Sequence, residues 1–249
     1  MAYSLKAGEL LTEGLRRLGF PENGSALDSG ASVRGIGSIA TLADRYIREL
    51  ELFNAAFDLV GADTREDLVV RHLLDSFAPW KEFSSILSGL GSPEFPETGL
   101  SGPAGTRFRV ADAGSGAGFP GIPLAIAFPD VSFTLVERMS KRCAFLENCA
   151  AMMRLSNVTV LNKEVERAPS DSFDVVVFRA FRPLDSAMTR TLLAMLAKPR
   201  GRLAAWKARA AKIGEEMSGI SGEIGGYAVL PLKVPFLDAE ERNLVVIRP

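Results

Sequence analysis

The chain has 249 residues, 47% of them hydrophobic, with 29 Lys/Arg against 30 Asp/Glu and a formal net charge of −1. That is enough apolar material to bury a sizeable core, in one large domain or one domain plus an appendage. No stretch approaches the roughly 18 continuous apolar residues that span a bilayer, and Met1-Ala2-Tyr3-Ser4-Leu5-Lys6 lacks a basic-then-apolar leader. A soluble, cytoplasmic protein with no membrane partner is expected.

Residues 1–88 read as helical. Gly8 to Gly19 and Ile36 to Leu59 have amphipathic spacing and are joined by a Gly/Ser-rich connector from Pro21 to Gly35. Glu66 to Phe83 reads as a third helix, with Leu68, Val69, Leu73, Leu74 and Phe77 on its apolar stripe. Arg71, His72 and Asp75 lie off that stripe, and Arg71 and Asp75, four apart, can pair across one turn. The trio either docks the helix against the rest of the chain or forms one wall of a substrate cleft. His72 is the only histidine, has no sequence partner that marks it as a general base, and argues against a zinc site; no metal is expected. Residues 89–106, rich in Gly, Ser and Pro, read as a surface loop without chemistry.

From residue 107 to 249 the pattern changes. An apolar stretch (Phe108, Val110, Ala111) leads into Asp112-Ala113-Gly114-Ser115-Gly116-Ala117-Gly118-Phe119-Pro120-Gly121-Ile122-Pro123 and then an apolar helix start. This is a strand, a glycine bend and a helix, the place where α/β folds hold nucleotide-like ligands. Gly114, Gly116 and Gly118 allow close backbone approach and positive φ. A literal G-x-G-x-x-G from Gly116 to Gly121 raises the possibility of a dinucleotide. Pro120 and Pro123, however, remove amides that would receive a diphosphate, and Asp112 would repel it. A cationic ligand such as S-adenosylmethionine tolerates that acid. Val131 to Val136 reads as the second strand. Glu137 closes it about 20 residues past the bend, where a carboxylate can take two ribose hydroxyls.

Asn157 to Leu161, Phe173 to Phe178 and Arg202 to Trp206 continue the alternation of strands and helices. Cys143 and Cys149, six apart on one helix, face different ways, which argues against a disulfide. Tyr227 to Leu230 and Asn243 to Ile247 have too short a connection for a helical crossover and should pair antiparallel. The expected architecture is α/β: a Rossmann-like, seven-stranded, mostly parallel sheet with an antiparallel last strand, preceded by a helical region. This is the class I S-adenosylmethionine-dependent methyltransferase fold.

The near-neutral average conceals a polarity. From Met1 to Asp75, eight Lys/Arg face twelve Asp/Glu; from Val176 to Lys212, nine (Arg179, Arg182, Arg190, Lys198, Arg200, Arg202, Lys207, Arg209, Lys212) face Asp185 alone. The basic segment is either a phosphate-binding face or a solvated surface balancing the acidic half.

The glycine run, Val165-Glu166, Arg179-Ala180-Phe181, Trp206-Lys207 and Arg71-His72-Leu73-Leu74-Asp75-Ser76 together resemble the RsmG (GidB) family of bacterial small-subunit rRNA guanine-N7 methyltransferases, over roughly Ala40 to Ile247. The resemblance implies methyl transfer from S-adenosylmethionine to one guanine of 16S rRNA, at the position conventionally numbered 527, on free rRNA or the 30S subunit, by a monomer. It places Gly114, Phe119, Val165, Glu166 and Arg179 at the cofactor. It also makes Arg71 and His72 part of one wall of the substrate cleft; charge and placement add Arg179, Arg182 and Lys207 as candidates to position substrate, with no acid–base residue. The chain departs from the family pattern at Asp58-Leu59-Val60, where Asn-Leu-Thr is usual, at Ala208 for Gly and at Asn243 for His, which bears on RNA contacts more than on the cofactor. Methylation of another RNA or a small molecule, or a non-catalytic nucleotide- or RNA-binding role, are the alternatives.

Overall fold

The computed structural model describes residues 3, 5–90, 108–197 and 199–249. Helices α1 (Ala7–Arg17) and α2 (Ile36–Phe57) follow the first two amphipathic segments to within two residues at each end. Both turn their apolar side inward, burying Leu10, Leu11 and Leu15 from one and Ile39, Tyr46 and Leu50 from the other. The connector between them is more than loop: β1 (Ser25–Ala26) pairs antiparallel with β2 (Ser32–Val33).

The third expected helix is broken. α3 (Arg65–Asp67) runs through a π-helical stretch (Leu68–Leu74) into α4 (Asp75–Phe77), and α5 (Trp80–Leu90) starts afresh after Pro79. Pro79 has no amide N–H, so the backbone ladder is interrupted there. α5 extends two residues into the segment expected as loop; the remainder of 89–106 lies outside the described residues.

Then follow β3 (Phe108–Ala113), α6 (Gly121–Ala127), β4 (Val131–Glu137), α7 (Ser140–Met153), β5 (Val158–Asn162) and a 3-10 turn (Val165–Arg167). β6 (Val175–Arg179), α8 (Ser186–Met195), β7 (Arg202–Lys207), α9 (Ala210–Gly219), β8 (Gly226–Leu232) and β9 (Arg242–Arg248) complete the chain. The seven-stranded sheet has the order β5-β4-β3-β6-β7-β9-β8. β3 to β7 are parallel, and β9 runs antiparallel to both β7 and β8. The fold is therefore class I Rossmann-like.

Every residue of β3 and β4 is buried, as a sheet covered on both faces requires. Tyr46, Phe77 and Phe83 of the N-terminal helices share one core with Phe128, Phe133 and Trp206. On the opposite side Phe173, Phe178, Leu192 and Ile213 pack beneath α8 and α9. The chain winds outward from β3 to β5 and returns to β6 on the other side of β3. That reversal opens a crevice beyond the strands' C-terminal ends, where Ala113, Glu137, Arg179 and Lys207 stand. Among the described residues no helix is long and apolar enough to cross a membrane, and Cys143 and Cys149 are buried free thiols.

Candidate active site

Beyond β3 the backbone adopts positive φ at Gly114, Gly116 and Gly118. The first and last do different work. A Cβ on Gly114 would overlap the Phe181 ring, whereas one on Gly118 would meet Ile122, the Tyr46 hydroxyl and Leu146 in the core. Gly118 thus faces helix α2 and the interior, not the crevice. Asp112 is wholly buried, and its Oδ2 accepts from the Ser115 hydroxyl at 2.6 Å and the Gly121 N–H at 3.1 Å. Burial pushes its carboxyl up to about 6, against the opposing pull of those two hydrogen bonds.

This settles the question a G-x-G-x-x-G pattern raises. At the start of α6 the amide of Gly121 is held by Asp112, those of Ile122 and Leu124 by the carbonyls of Gly118 and Pro120, and Pro123 has none. A diphosphate would find no free donor there, and Asp112 occupies the anion's place.

A cleft of about 580 Å³ opens beside the bend, lined by Gly114, Glu137, Arg142, Val165, Glu166 and Phe181 among others. Glu137 is buried; its Oε2 accepts from the Gly116 N–H at 3.0 Å and its Oε1 from the Met139 N–H at 2.8 Å. Each oxygen keeps a second lone pair for a ligand hydroxyl. Across the cleft Glu166 accepts from Arg182 at 2.7 Å. Its own backbone N–H and then Arg182 hold its carboxyl below the usual range. Arg138, Arg142 and Lys163 add positive charge to Glu137, Glu164 and Glu166 on the same walls. A cleft carrying both signs fits a ligand with an amino-acid end and a cationic sulfur.

A second cleft of about 390 Å³ lies on the other side of Ala180 and Phe181, which line both. Arg71, His72, Asp75, Arg179, Trp206 and Lys207 belong to it. The pairing expected between Arg71 and Asp75 does not form. Asp75, buried, accepts instead from Arg179 Nη1 at 2.8 Å and Arg242 Nε at 3.0 Å, because a carboxylate out of water needs charged donors close at hand. Arg71 turns to Glu240 at 2.7 Å and Asp67 at 3.4 Å. Arg179 Nη2 lies 2.9 Å from His72 Nδ1. A guanidinium only donates, so Nδ1 accepts and the neutral ring carries its proton on Nε2. Burial first, and the Arg179 charge second, lower the His72 pKa to about 4. Phe119 stands behind this network, 4.9 Å from the Arg179 guanidinium and 5.2 Å from the His72 ring, and lines neither cleft.

Four of the nine cations of the basic segment meet a carboxylate, Arg179 that of Asp75. Arg182 pairs with Glu166, Arg190 with Glu223 and Lys207 with Glu216, while Arg200 and Arg202 donate to backbone carbonyls. Arg209 and Lys212 remain exposed without an acidic partner among the described residues; Lys198 lies outside them. Sequence reasoning passed over a second set, the exposed Arg138 and Lys163, which follow the ends of β4 and β5 and so border the crevice. Strand order was the signal that could have found them. Two positions that depart from the family pattern also meet: Asn243 Nδ2 donates to the Ala208 carbonyl in the second cleft.

The family described as rRNA small subunit methyltransferase G (GidB) matches residues 101–245. The chain is 38% identical to Ribosomal RNA small subunit methyltransferase G of Treponema denticola over 260 residues, covering 100% of this chain and 98% of that protein. To the protein of the same name from Cellvibrio japonicus it is 35% identical over 205 residues, 82% of this chain and 84% of that one. Among solved structures, a SAM-dependent methyltransferase from Aquifex aeolicus aligns with a TM-score of 0.49 at 17% identity, covering 71% of this chain and 92% of that chain. The chain belongs to the rRNA small subunit methyltransferase G family.

Proposed function

We propose that the protein methylates N7 of one guanine in 16S rRNA, at the position conventionally numbered 527, using S-adenosylmethionine and acting in the cytoplasm as a monomer. The observation that carries this is the pair of clefts meeting at Ala180 and Phe181, one built on a glycine bend whose helix-start amides are closed to a diphosphate. When bound, the cofactor supplies a methyl group on a cationic sulfur. Glu137 would take the ribose hydroxyls, with Gly114, Gly116, Val165 and Glu166 around the rest. Arg179, Arg71 and His72 would form the floor of the acceptor cleft.

No base is needed. The N7 lone pair lies in the ring plane; it forms the N–C bond as the S–C bond breaks, leaving a neutral thioether and a positive charge on the purine. The residues align the reactants, and alignment of this kind can contribute ~7–11 kcal/mol to barrier lowering. A neutral His72 adds no further charge beside Arg71 and Arg179, whose charges Glu240 and Asp75 compensate.

Transfer of labelled methyl groups to 30S subunits, free 16S rRNA and tRNA, followed by nucleoside analysis, tests the reading. The expected product is 7-methylguanosine in the small-subunit RNA alone. Label in tRNA only, or tighter binding of NAD than of S-adenosylmethionine in calorimetry, would overturn it.

A further inference from the structure

Phe181 lines the donor cleft, the second cleft and a third groove of about 890 Å³ beside α9. The residue before it, Ala180, has φ +48, a left-handed conformation that L side chains rarely adopt. This bend follows Arg179, which faces the second cleft, and carries the Phe181 ring over Gly114, so close that no Cβ fits between them. The Arg182 guanidinium lies 5.1 Å from the ring centroid and is latched to Glu166 at 2.7 Å. Phe178 meets the ring edge-on at 6.5 Å. The ring is nonetheless only partly buried, an aromatic surface left on the partition between two polar clefts.

Resting on the methyltransferase reading, we propose that Phe181 is the stacking platform for the acceptor purine, holding the base between the clefts with its edge toward the donor. Any base can stack on an aromatic side chain. The purine gains positive charge as N7 is alkylated, and an aromatic face attracts a cation where an aliphatic chain of similar bulk does not. The platform therefore favours the transition state over the ground state.

Phe181→Tyr, Phe181→Leu and Phe181→Ala separate stacking from space-filling. The Leu and Ala variants should lose about 10- to 100-fold in kcat/KM for the RNA and much less in donor affinity, while the Tyr variant stays near wild type. Wild-type rates in Phe181→Leu would overturn the proposal, because leucine fills the space without a π-face. So would a loss of donor affinity equal to the loss in transfer. A second readout needs no turnover: guanosine monophosphate should quench the emission of Phe181→Trp more than that of the parent chain, in which Trp80 and Trp206 set the background. Equal quenching overturns the platform. A wild-type chain that transfers to no RNA, yet shows the extra quenching in Phe181→Trp, would sink the methyltransferase reading and leave the platform standing.

Discussion

Arg179 places its Nη1 2.8 Å from the carboxylate of Asp75, although 104 residues separate them in sequence, and the two side chains are only 14% and 5% exposed. Arg242 takes the other carboxylate oxygen at 3.0 Å and also pairs with Glu240 at 2.8 Å, so one carboxylate bridges two guanidinium groups at the floor of the second cleft. Removing the shared carboxylate leaves Arg179 without its acidic partner in a largely buried place. Asp75→Ala should therefore lower the unfolding free energy by about 3–5 kcal/mol. Asp75→Asn should cost less, since its carbonyl still accepts a hydrogen bond. Urea titration of both variants checks this; equal, small losses would mean that water already solvates the two arginines.

Gly114 and Gly118 are two residues of one loop with separate duties, and the same substitution should separate them. Gly114→Ala must displace the Phe181 ring and shrink the donor cleft, but it touches no core residue. Donor affinity should fall at least tenfold (about 1.4 kcal/mol), with a stability loss near the roughly 1–2 kcal/mol of a left-handed alanine. Gly114→Arg should abolish donor binding. Gly118→Ala drives a methyl into Tyr46, Ile122 and Leu146 and adds an overpacking cost of about 1–3 kcal/mol to the same backbone term. Calorimetric titration and thermal melting on the pair decide it. Equal donor affinities in the two alanine variants would contradict the placement of the cleft.

The central strands were legible because they are short apolar runs, and in a sheet covered on both faces burial specifies them. Val131 to Glu137 has no other way to hide Val131, Phe133, Leu135 and Val136. The glycine bend was legible because only glycine is cheap at positive φ. The third helix was misread where an apolar stripe ran on through Pro79, although proline was the available stop signal. The ionic partners were not legible at all. Arg71 and Asp75 share a helix, yet each finds a stronger partner on an element more than a hundred residues away, because folding, not spacing, decides which charges lose their water. The same effect hid the fate of the basic segment: Lys207 reads as a free cation until Glu216 of α9 closes on it at 2.8 Å.

That pairing separates two kinds of cation in the basic segment. Arg209 and Lys212 flank the groove beside α9 with no acidic partner among the described residues, whereas Lys207 is already neutralised and only 20% exposed. Arg209→Ala with Lys212→Ala should weaken RNA binding and reduce the slope of log K against log salt by about 2, one unit per phosphate contact. Lys207→Ala alone should leave the slope nearly unchanged. Binding measured across a salt series distinguishes them, and a slope that moves for Lys207→Ala but not for the double variant would reverse the assignment.

Asp112, wholly buried, and His72, half-buried, oppose each other in the pH dependence of stability. His72 has its pKa lowered to about 4, so folding holds it neutral. Its contribution is complete above the ordinary value of about 6.5 and is lost as pH falls toward 4, by up to about 3 kcal/mol. Asp112 is raised to about 6, so its ionised form penalises the fold above that pH, and acidification from 6 toward 4 relieves a penalty of about the same size. The wild-type contributions from these two should nearly cancel between pH 6.5 and 4, and single variants should expose them. The destabilisation caused by His72→Asn should shrink on acidification, because the wild type then carries a penalty the variant lacks. The destabilisation caused by Asp112→Asn should grow over the same interval, because only the wild type gains. Denaturant titrations at pH 7, 5.5 and 4.5 read both trends; parallel rather than opposite slopes would show that one of the two groups is not held in the charge state its surroundings impose.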